Sequence, residues 1–224
     1  MATTDLGLAL EVLDTGTTIS LRDHQAVVAG YTGRDEDAVR HHIDELAAIG
    51  VPAPPTVPMF YAVGPATVST DPSVGVTGAA TSGEAEPVLI RHHGDWYLGV
   101  GSDHTDRDLE TRDVGDSKRA CPKPVSRHVI AVPAWTDLDW DAVALSSRVD
   151  GRPYQDGHLT GLRRPEEILR LLAERGVDEG RDLVCFAGTL PLIDGGFVPG
   201  AVWDLRLALP DGRTIAHRYE ARRI

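Results

Sequence analysis

Residues 81–109 read TSGEAEPVLIRHHGDWYLGVGSDHTDRDL. Val88, Leu89 and Ile90 lead into Arg91-His92-His93-Gly94-Asp95, and Trp96, Tyr97, Leu98 and Val100 lead out. Two strand-forming runs around a glycine-bearing polar segment predict a β-hairpin. Glu84 and Glu86 are two positions apart, so on a strand they share one face. A turn centred near His93 sets Glu84 roughly opposite Ser102 and Glu86 opposite Val100, with Asp103 at the end of the returning strand. Opposed residues have Cβ atoms about 5 Å apart. The hairpin is therefore expected to gather Glu84, Glu86 and Asp103 into one small space.

Three ionised carboxylates held together repel one another unless a positive charge sits between them. A hard divalent cation with a preference for oxygen ligands, Mg²⁺, Mn²⁺ or Ca²⁺, answers that need. The competing reading is that Glu84 and Glu86 form the solvated face of an amphipathic strand. Asp103, on the partner strand, is what lifts the metal reading above a bare Glu-x-Glu.

Working outward, the chain has 224 residues, 42% of them hydrophobic and 25% charged. That suits one soluble domain, long enough to bury a core without staples. The net charge of −12 argues against sequence-independent nucleic-acid binding, which needs a basic face. Cys121 and Cys185 stand far apart in no C-x-x-C pair, as in a reducing compartment without a disulfide framework. The first residues show no basic, apolar leader, and no apolar run is long enough to cross a bilayer, so a cytoplasmic protein is expected.

Upstream, LALEVL, TTISL and HQAVVAG read as short strands. Residues 35–50 turn helical: Asp35 is the N-cap, Glu36 and Asp37 suit the helix dipole, Val39, Ile43, Leu46 and Ala47 make the buried stripe, and Gly50 closes it. His42 and Glu45 are neighbours on that helix, and a carboxylate beside a histidine prepares a general base. An ordinary surface pair is the alternative, and adjacent His41 leaves the choice of histidine open. VPAPPTVP (51–58) carries four prolines in eight residues, an extended linker able to hold the helix as a lid.

Downstream, residues 103–126 are mostly polar and read as a long loop carrying Arg107 and Lys118. A lysine near carboxylates can stabilise a developing oxyanion or move a proton, though most lysines point into solvent. AVALSSRVDGRPYQ reads as a hairpin around Asp150-Gly151. GLRRPEEILRLLAERG is a helix begun by Pro165, with Ile168, Leu169, Leu171 and Leu172 on its core face and Gly176 at its end. RDLVCFAGTL is a buried strand, and AVWDLRLAL with TIAHRYEARR makes a final hairpin. Without βαβ alternation, a doubly wound fold is not expected.

In motif content and order the chain resembles the fumarylacetoacetate hydrolase family, over residues 25–224. TGRDEDAVRHHIDELAAIGVPAPPTVPMFY resembles the segment with Gly-Arg, a His-x-x-Glu helix and a proline-rich run. EAEPVLI resembles its Glu-x-Glu strand, GSDHTDRDLE its Asp-x-Thr/Ser-x-Arg-Asp motif and SKRACPKPV its lysine segment. VDGRPYQDGHLTGL resembles the Asn-Gly-Glu…Gln strand, VDEGRDLVCFAGTLPL the strand ending in Thr-Gly-Thr-Pro, and FVPGAVWDLRL the Pro-Gly-Asp strand. Departures are Gly33-Arg34-Asp35-Glu36 for Gly-Arg-Asn-Tyr, Gly188-Thr189-Leu190 for Gly-Thr-Pro, and a Lys118 segment without Phe-Asp.

The resemblance implies an α+β, β-rich fold, a mixed β-sandwich roll with few helices. It implies one catalytic domain over residues 1–224: 1–58 hold the N-terminal strands, lid helix and linker, and 59–224 the roll. It makes Glu84, Glu86 and Asp103 ligands of Mg²⁺ or Mn²⁺, with Ca²⁺ as a third candidate. Lys118, with His42 and Glu45 of the lid, becomes catalytic, and Arg107, Gln155 and Thr189 become candidates for binding or supporting substrate. The implied protein is a homodimer, without nucleic-acid or membrane partners. Its implied reaction is metal-dependent hydrolysis or lysis of a small 2-oxo or 1,3-dicarbonyl acid through an enolate. The alternatives are an isomerase or hydratase on the same substrates, or a non-catalytic protein that binds metal and oxo acid.

Overall fold

The hairpin forms, with a tighter turn than expected. In the computed structural model, which describes residues 7–48 and 51–224 and not the side chain of His42, β8 (Ala85–His92) pairs antiparallel with β9 (Asp95–Ser102). His92 faces Asp95 across the two-residue turn His93-Gly94, both at positive φ (51° and 93°). That geometry matches the twist of the flanking strands better than a wider turn. It moves the register by one residue: Glu86 faces Gly101 rather than Val100, and Ala85, not Glu84, faces Ser102. Glu84 lies just outside the strand, with its carbonyl accepting the Asp103 N–H at 3.0 Å.

Around this hairpin the chain builds β1 (Leu8–Val12), β2 (Thr17–Leu21), β3 (His24–Gly30), β4 (Met59–Val63), β12 (His128–Ala131) and β15 (Asp182–Phe186) into one mixed sheet, ordered β2-β1-β12-β9-β8-β15-β3-β4. A second sheet takes β6 (Ser73–Val76), β13 (Ala144–Val149), β14 (Arg152–His158), β16 (Val202–Ala208) and β17 (Thr214–Arg223), ordered β14-β13-β16-β17-β6. Two short ribbons complete the β structure: β7 (Thr81–Ser82) with β10 (Thr105–Asp106), and β5 (Val68–Ser69) with β11 (Lys123–Pro124). The Asp150-Gly151 hairpin is formed as expected, with both residues at positive φ.

The central strands are apolar throughout because both their faces are covered. Val27, Leu89, Leu98, Leu183 and Cys185 join Trp140, Trp203, Leu205 and Tyr219 in one cluster towards the second sheet. Their alternates Ala26, Val28, Val88, Ile90, Val184 and Phe186 join a second cluster with Leu10 and Tyr61. This is the β-rich α+β roll expected from the sequence.

The helices depart from expectation in two places. α1 (Glu36–Ala48) is capped by Asp35, whose Oδ1 accepts from the N–H groups of Asp37 and Ala38 at 3.1 and 3.0 Å. Its expected buried stripe, however, is only half-buried at Val39, Ile43 and Leu46, and Ala47 is exposed; Gly50, expected to close it, lies outside the described residues. The segment after β9 is not a long loop. Asp106 accepts from Leu109 N–H at 3.1 Å to begin α2 (Arg107–Glu110), and Asp113 accepts from Asp116 N–H at 2.7 Å to begin α3 (Val114–Arg119). Side-chain caps satisfy the orphan donors that a short helix exposes. α4 (Pro165–Glu174) starts on its proline and buries Ile168 and Leu172, with Leu169 and Leu171 half-buried. No helix among the described residues is long and apolar enough to cross a membrane.

Candidate active site

The two capped helices decide where Lys118 goes. α3 doubles back, and its last turn delivers the Lys118 ammonium onto Oδ2 of Asp103, with both side chains buried. A second lysine comes from β11. Lys123, fully buried, lies 3.3 Å from Asp103 Oδ1 and donates to the carbonyls of His104 and Cys121 at 2.5 and 3.2 Å. Burial alone would raise the Asp103 carboxyl, but the Lys118 and Lys123 charges reverse this and hold it well below the ordinary carboxylate range. Burial likewise opposes the charge on Lys118; Asp103, then Glu84, outweigh it and raise its pKa. Lys123 is pushed down, burial outweighing its attraction to Asp103.

Glu86 is the opposite case. It is 3% exposed and has no ion pair among the described residues. Its hydrogen bond is from the Gly188 N–H to Oε2, at 3.0 Å. Burial first, and the Asp103 charge second, raise its pKa well above the ordinary value. Gly188 reaches Glu86 because it stands at φ 103°, and a Cβ built there would lie 1.7 Å from Thr32 Oγ1. Gly188→Ala is therefore expected to cost about 1–3 kcal/mol in backbone strain alone and to pull the N–H off Glu86. Urea denaturation measures the first effect and metal affinity the second.

Glu84 is drawn the other way. Its Oε2 accepts from Arg107 at 3.0 Å. Arg107 also donates to Ser82 Oγ at 2.7 Å and Glu110 at 2.9 Å, and its guanidinium lies 3.5 Å over the Phe197 ring. Gln155 spends its whole hydrogen-bonding capacity inside the protein. Its oxygen accepts from Ala85 N–H and Ser147 Oγ, both at 2.8 Å, and its NH₂ donates to Thr189 Oγ1 at 2.6 Å and the Leu190 carbonyl at 2.9 Å. Thr189 donates to the Ala85 carbonyl at 2.9 Å. Gln155 and Thr189 thus clamp the residue between the two glutamates, a supporting place rather than a substrate-facing one.

Glu84, Glu86, Asp103, Arg107, Lys118, Gln155 and Thr189 are accordingly brought to one end of the hairpin. The expected lid pair, His42 with Glu45, falls partly outside the described residues. Glu45 faces His41 at 3.3 Å, both exposed, and the His42 side chain lies outside the described residues. Lys123 and Gly188 were not anticipated. A lysine between two prolines in the short CPKPV run was the available signal for the first.

No curated protein gives a significant match to the sequence. Solved structures do. A protein described as a fumarylacetoacetate isomerase/hydrolase from Oleispira antarctica superposes with TM-score 0.65 at 17% identity, over 95% of this chain and 99% of that one. One described as a fumarylpyruvate hydrolase from Burkholderia cenocepacia gives 0.62 at 16%, over 96% and 91%. The 5-carboxymethyl-2-hydroxymuconate delta-isomerase of Mycobacterium smegmatis gives 0.58 at 15%, over 94% and 84%. At these identities the likeness speaks for the fold, which is that of the fumarylacetoacetate hydrolase family. A family model, described as a protein of unknown function, DUF2848, matches residues 29–219. The chain thus belongs to the DUF2848 family and shares the fold of the fumarylacetoacetate hydrolases.

Proposed function

We propose that this protein is a metal-dependent enzyme acting on a small 2-oxo or 1,3-dicarbonyl acid, by hydrolysis or lysis next to the carbonyl, with Glu84, Glu86 and Asp103 as the metal ligands. The observation that carries the reading is Glu86, a buried carboxyl that feels the Asp103 charge and has no ion pair among the described residues. An all-oxygen donor set with one buried carboxyl that lacks an ion-pair partner fits a hard divalent ion. Glu84 and Asp103 now face Arg107 and Lys118, and would turn from these cations to the ion. Mg²⁺ or Mn²⁺ there would supply a Lewis acid for the substrate's carboxylate and neighbouring carbonyl.

The chain's own groups do the rest. Breaking a bond beside a carbonyl leaves an electron pair that comes to rest on oxygen. The Lys118 ammonium, fixed by α3 and kept protonated by the acidic groups around it, offers a preorganised positive charge for that oxygen. Gln155 and Thr189 hold the Glu84-Ala85-Glu86 backbone at a fixed spacing, as positioning a ligand set requires. A histidine of α1, oriented by Glu45, would handle the remaining proton transfer. The solved isomerase and the proteins described as hydrolases share this fold, which supports an enzymatic reading without choosing the reaction.

A second reading has a specific observation behind it. Arg107 already faces Glu84, and Lys118 and Lys123 face Asp103, so the second reading is a non-catalytic protein that binds metal and oxo acid with these groups serving as counter-charges. Two measurements in sequence separate them. Melting is followed with Mg²⁺ or Mn²⁺, with and without oxalate, a mimic of a planar enolate. Ligand at about a hundred times its Kd adds roughly 2.7 kcal/mol. A shift that needs both metal and oxalate supports the proposed site, and a panel of 2-oxo acids with Mn²⁺ then tests turnover. A flat response rejects the metal site. The homodimer is part of the same proposal, and light scattering reads it directly.

A further inference from the structure

The other end of the same hairpin holds a second group of metal-ligand side chains. His92 ends β8 and Asp182 begins β15, and the antiparallel register that sets Leu183 opposite Arg91 brings them side by side. His92 Nδ1 lies 2.6 Å from Asp182 Oδ2. The Asp182 carboxylate also accepts the His93 backbone N–H, at 3.0 Å to Oδ1. Because His93 occupies the left-handed position of the turn, its ring is carried beside that of His92, the centroids 4.1 Å apart. One ligand atom each from His92, His93 and Asp182 lies within 4.8 Å of the other two.

The surroundings suit an ion. The cluster opens on a cavity of about 780 Å³, also lined by Arg22, Asp23 and Arg181. The charges of the nearest arginines are matched elsewhere: Arg91 by a two-pronged pair with Asp178 at 2.6 and 2.8 Å, Arg181 by Asp23 and Glu179. On the next strand His24 pairs in register with Asp182. It is 2% exposed. The protein therefore sets a third imidazole in the same cross-strand row.

We propose that the hairpin tip is a separate site for a borderline transition ion such as Zn²⁺ or Co²⁺. Imidazole nitrogens of His92 and His93 and an oxygen of Asp182 are its protein ligands, and the cavity side is open for water or an anion. Two nitrogens and one oxygen select this class of ion, whereas the all-oxygen set at Glu84, Glu86 and Asp103 suits Mg²⁺ or Mn²⁺. The sites are independent. Six residue steps along β8 separate His92 from Glu86, about 20 Å at the ~3.4 Å rise of a strand.

The test is a Co²⁺ titration of the whole protein in excess Mg²⁺, followed by the visible absorption of bound Co²⁺. His93→Asn is the informative variant. It leaves Asn-Gly, a favoured pair for this turn, so the fold is kept while one ligand goes. Outer-shell changes already cost metal sites about 10–100-fold in affinity, and losing a direct ligand should weaken Co²⁺ by ~100-fold or more. Asp182→Asn should do the same, and Glu86→Gln should leave Co²⁺ binding unchanged. The proposal is overturned if Co²⁺ does not bind saturably. It is also overturned if binding survives His93→Asn, or if Glu86→Gln abolishes it. None of these outcomes depends on the proposed enzymatic activity.

Discussion

Glu86→Gln is expected to melt above the parent protein in metal-free buffer at neutral pH, and to lose the shift that metal and oxalate produce. The two halves have one cause. An unfolded glutamate ionises near pH 4.3, but in the fold burial and the nearby Asp103 charge make Glu86 hold its proton to higher pH. A group with a raised folded pKa contributes its stability in full below the unfolded pKa and loses it as pH rises through the folded one. Each unit of the rise removes about 1.4 kcal/mol by neutral pH. Glutamine has nearly the same shape, keeps an oxygen for the Gly188 N–H and carries no charge. The variant should therefore gain stability on the order of 1–3 kcal/mol, at about 2–4 °C per kcal/mol for a chain of this size. Its advantage should grow between pH 4 and pH 8 in scanning calorimetry with chelator present. A parent that melts as high as the variant at pH 8 would mean that Glu86 is already compensated. It would then lose its claim to be the unmatched ligand. Stability given up at a binding site in this way is common, because the ligand restores it.

The parts of this fold that were legible in the sequence are those written in short-range patterns. Alternating or continuous apolar runs placed β1, β2, β3, β8, β9 and β15, while Pro165 and Gly176 bracketed α4. Asp150-Gly151 announced its turn by composition. The carboxylates were legible for the same reason, since Glu84 and Glu86 are local neighbours and Asp103 follows one turn later. What was missed depends on contacts that no short window contains. The register slipped because His93 accepts a left-handed backbone, which shortens the turn and puts the side-chain-free Gly101 opposite Glu86. The segment after Asp103 looked like a loop because its helices are too short to show a period. Asp106 and Asp113 make them by capping, and Lys118 points inward only because they do. Lys123 and Gly188 owe their roles to Asp103 and Glu86, which reach them across the fold. Asp182 meets His92 across 90 residues, through a strand pairing set by the whole sheet.

Lys118→Ala should lower turnover on any accepted oxo acid by about 10²–10³, the usual effect of removing one preorganised donor to a developing oxyanion, and should also destabilise the metal-free protein. Asp103 is 1% exposed and is held by two ammonium groups. Removing one partner of a buried pair costs about 3–5 kcal/mol when the other is left unmatched. Lys123 remains 3.3 Å from Oδ1, so the loss should fall near 3 kcal/mol. A lysine that serves only as a structural counter-charge would give the same melting curve, so the discriminating readout is the response to Mg²⁺ or Mn²⁺. Without Lys118 the Oδ2 side of Asp103 has no competing cation, and the divalent ion should stabilise the variant more than it stabilises the parent. Lys118→Arg sharpens the distinction. A guanidinium can restore the charge against Asp103 and recover melting temperature, but it has a different shape and reach, so turnover should remain low. Full activity in Lys118→Ala would remove Lys118 from the chemistry. A divalent-ion response that shrank in the variant would mean that Asp103 needs Lys118 to stay in place, and that the lysine builds the metal site rather than competing with the ion.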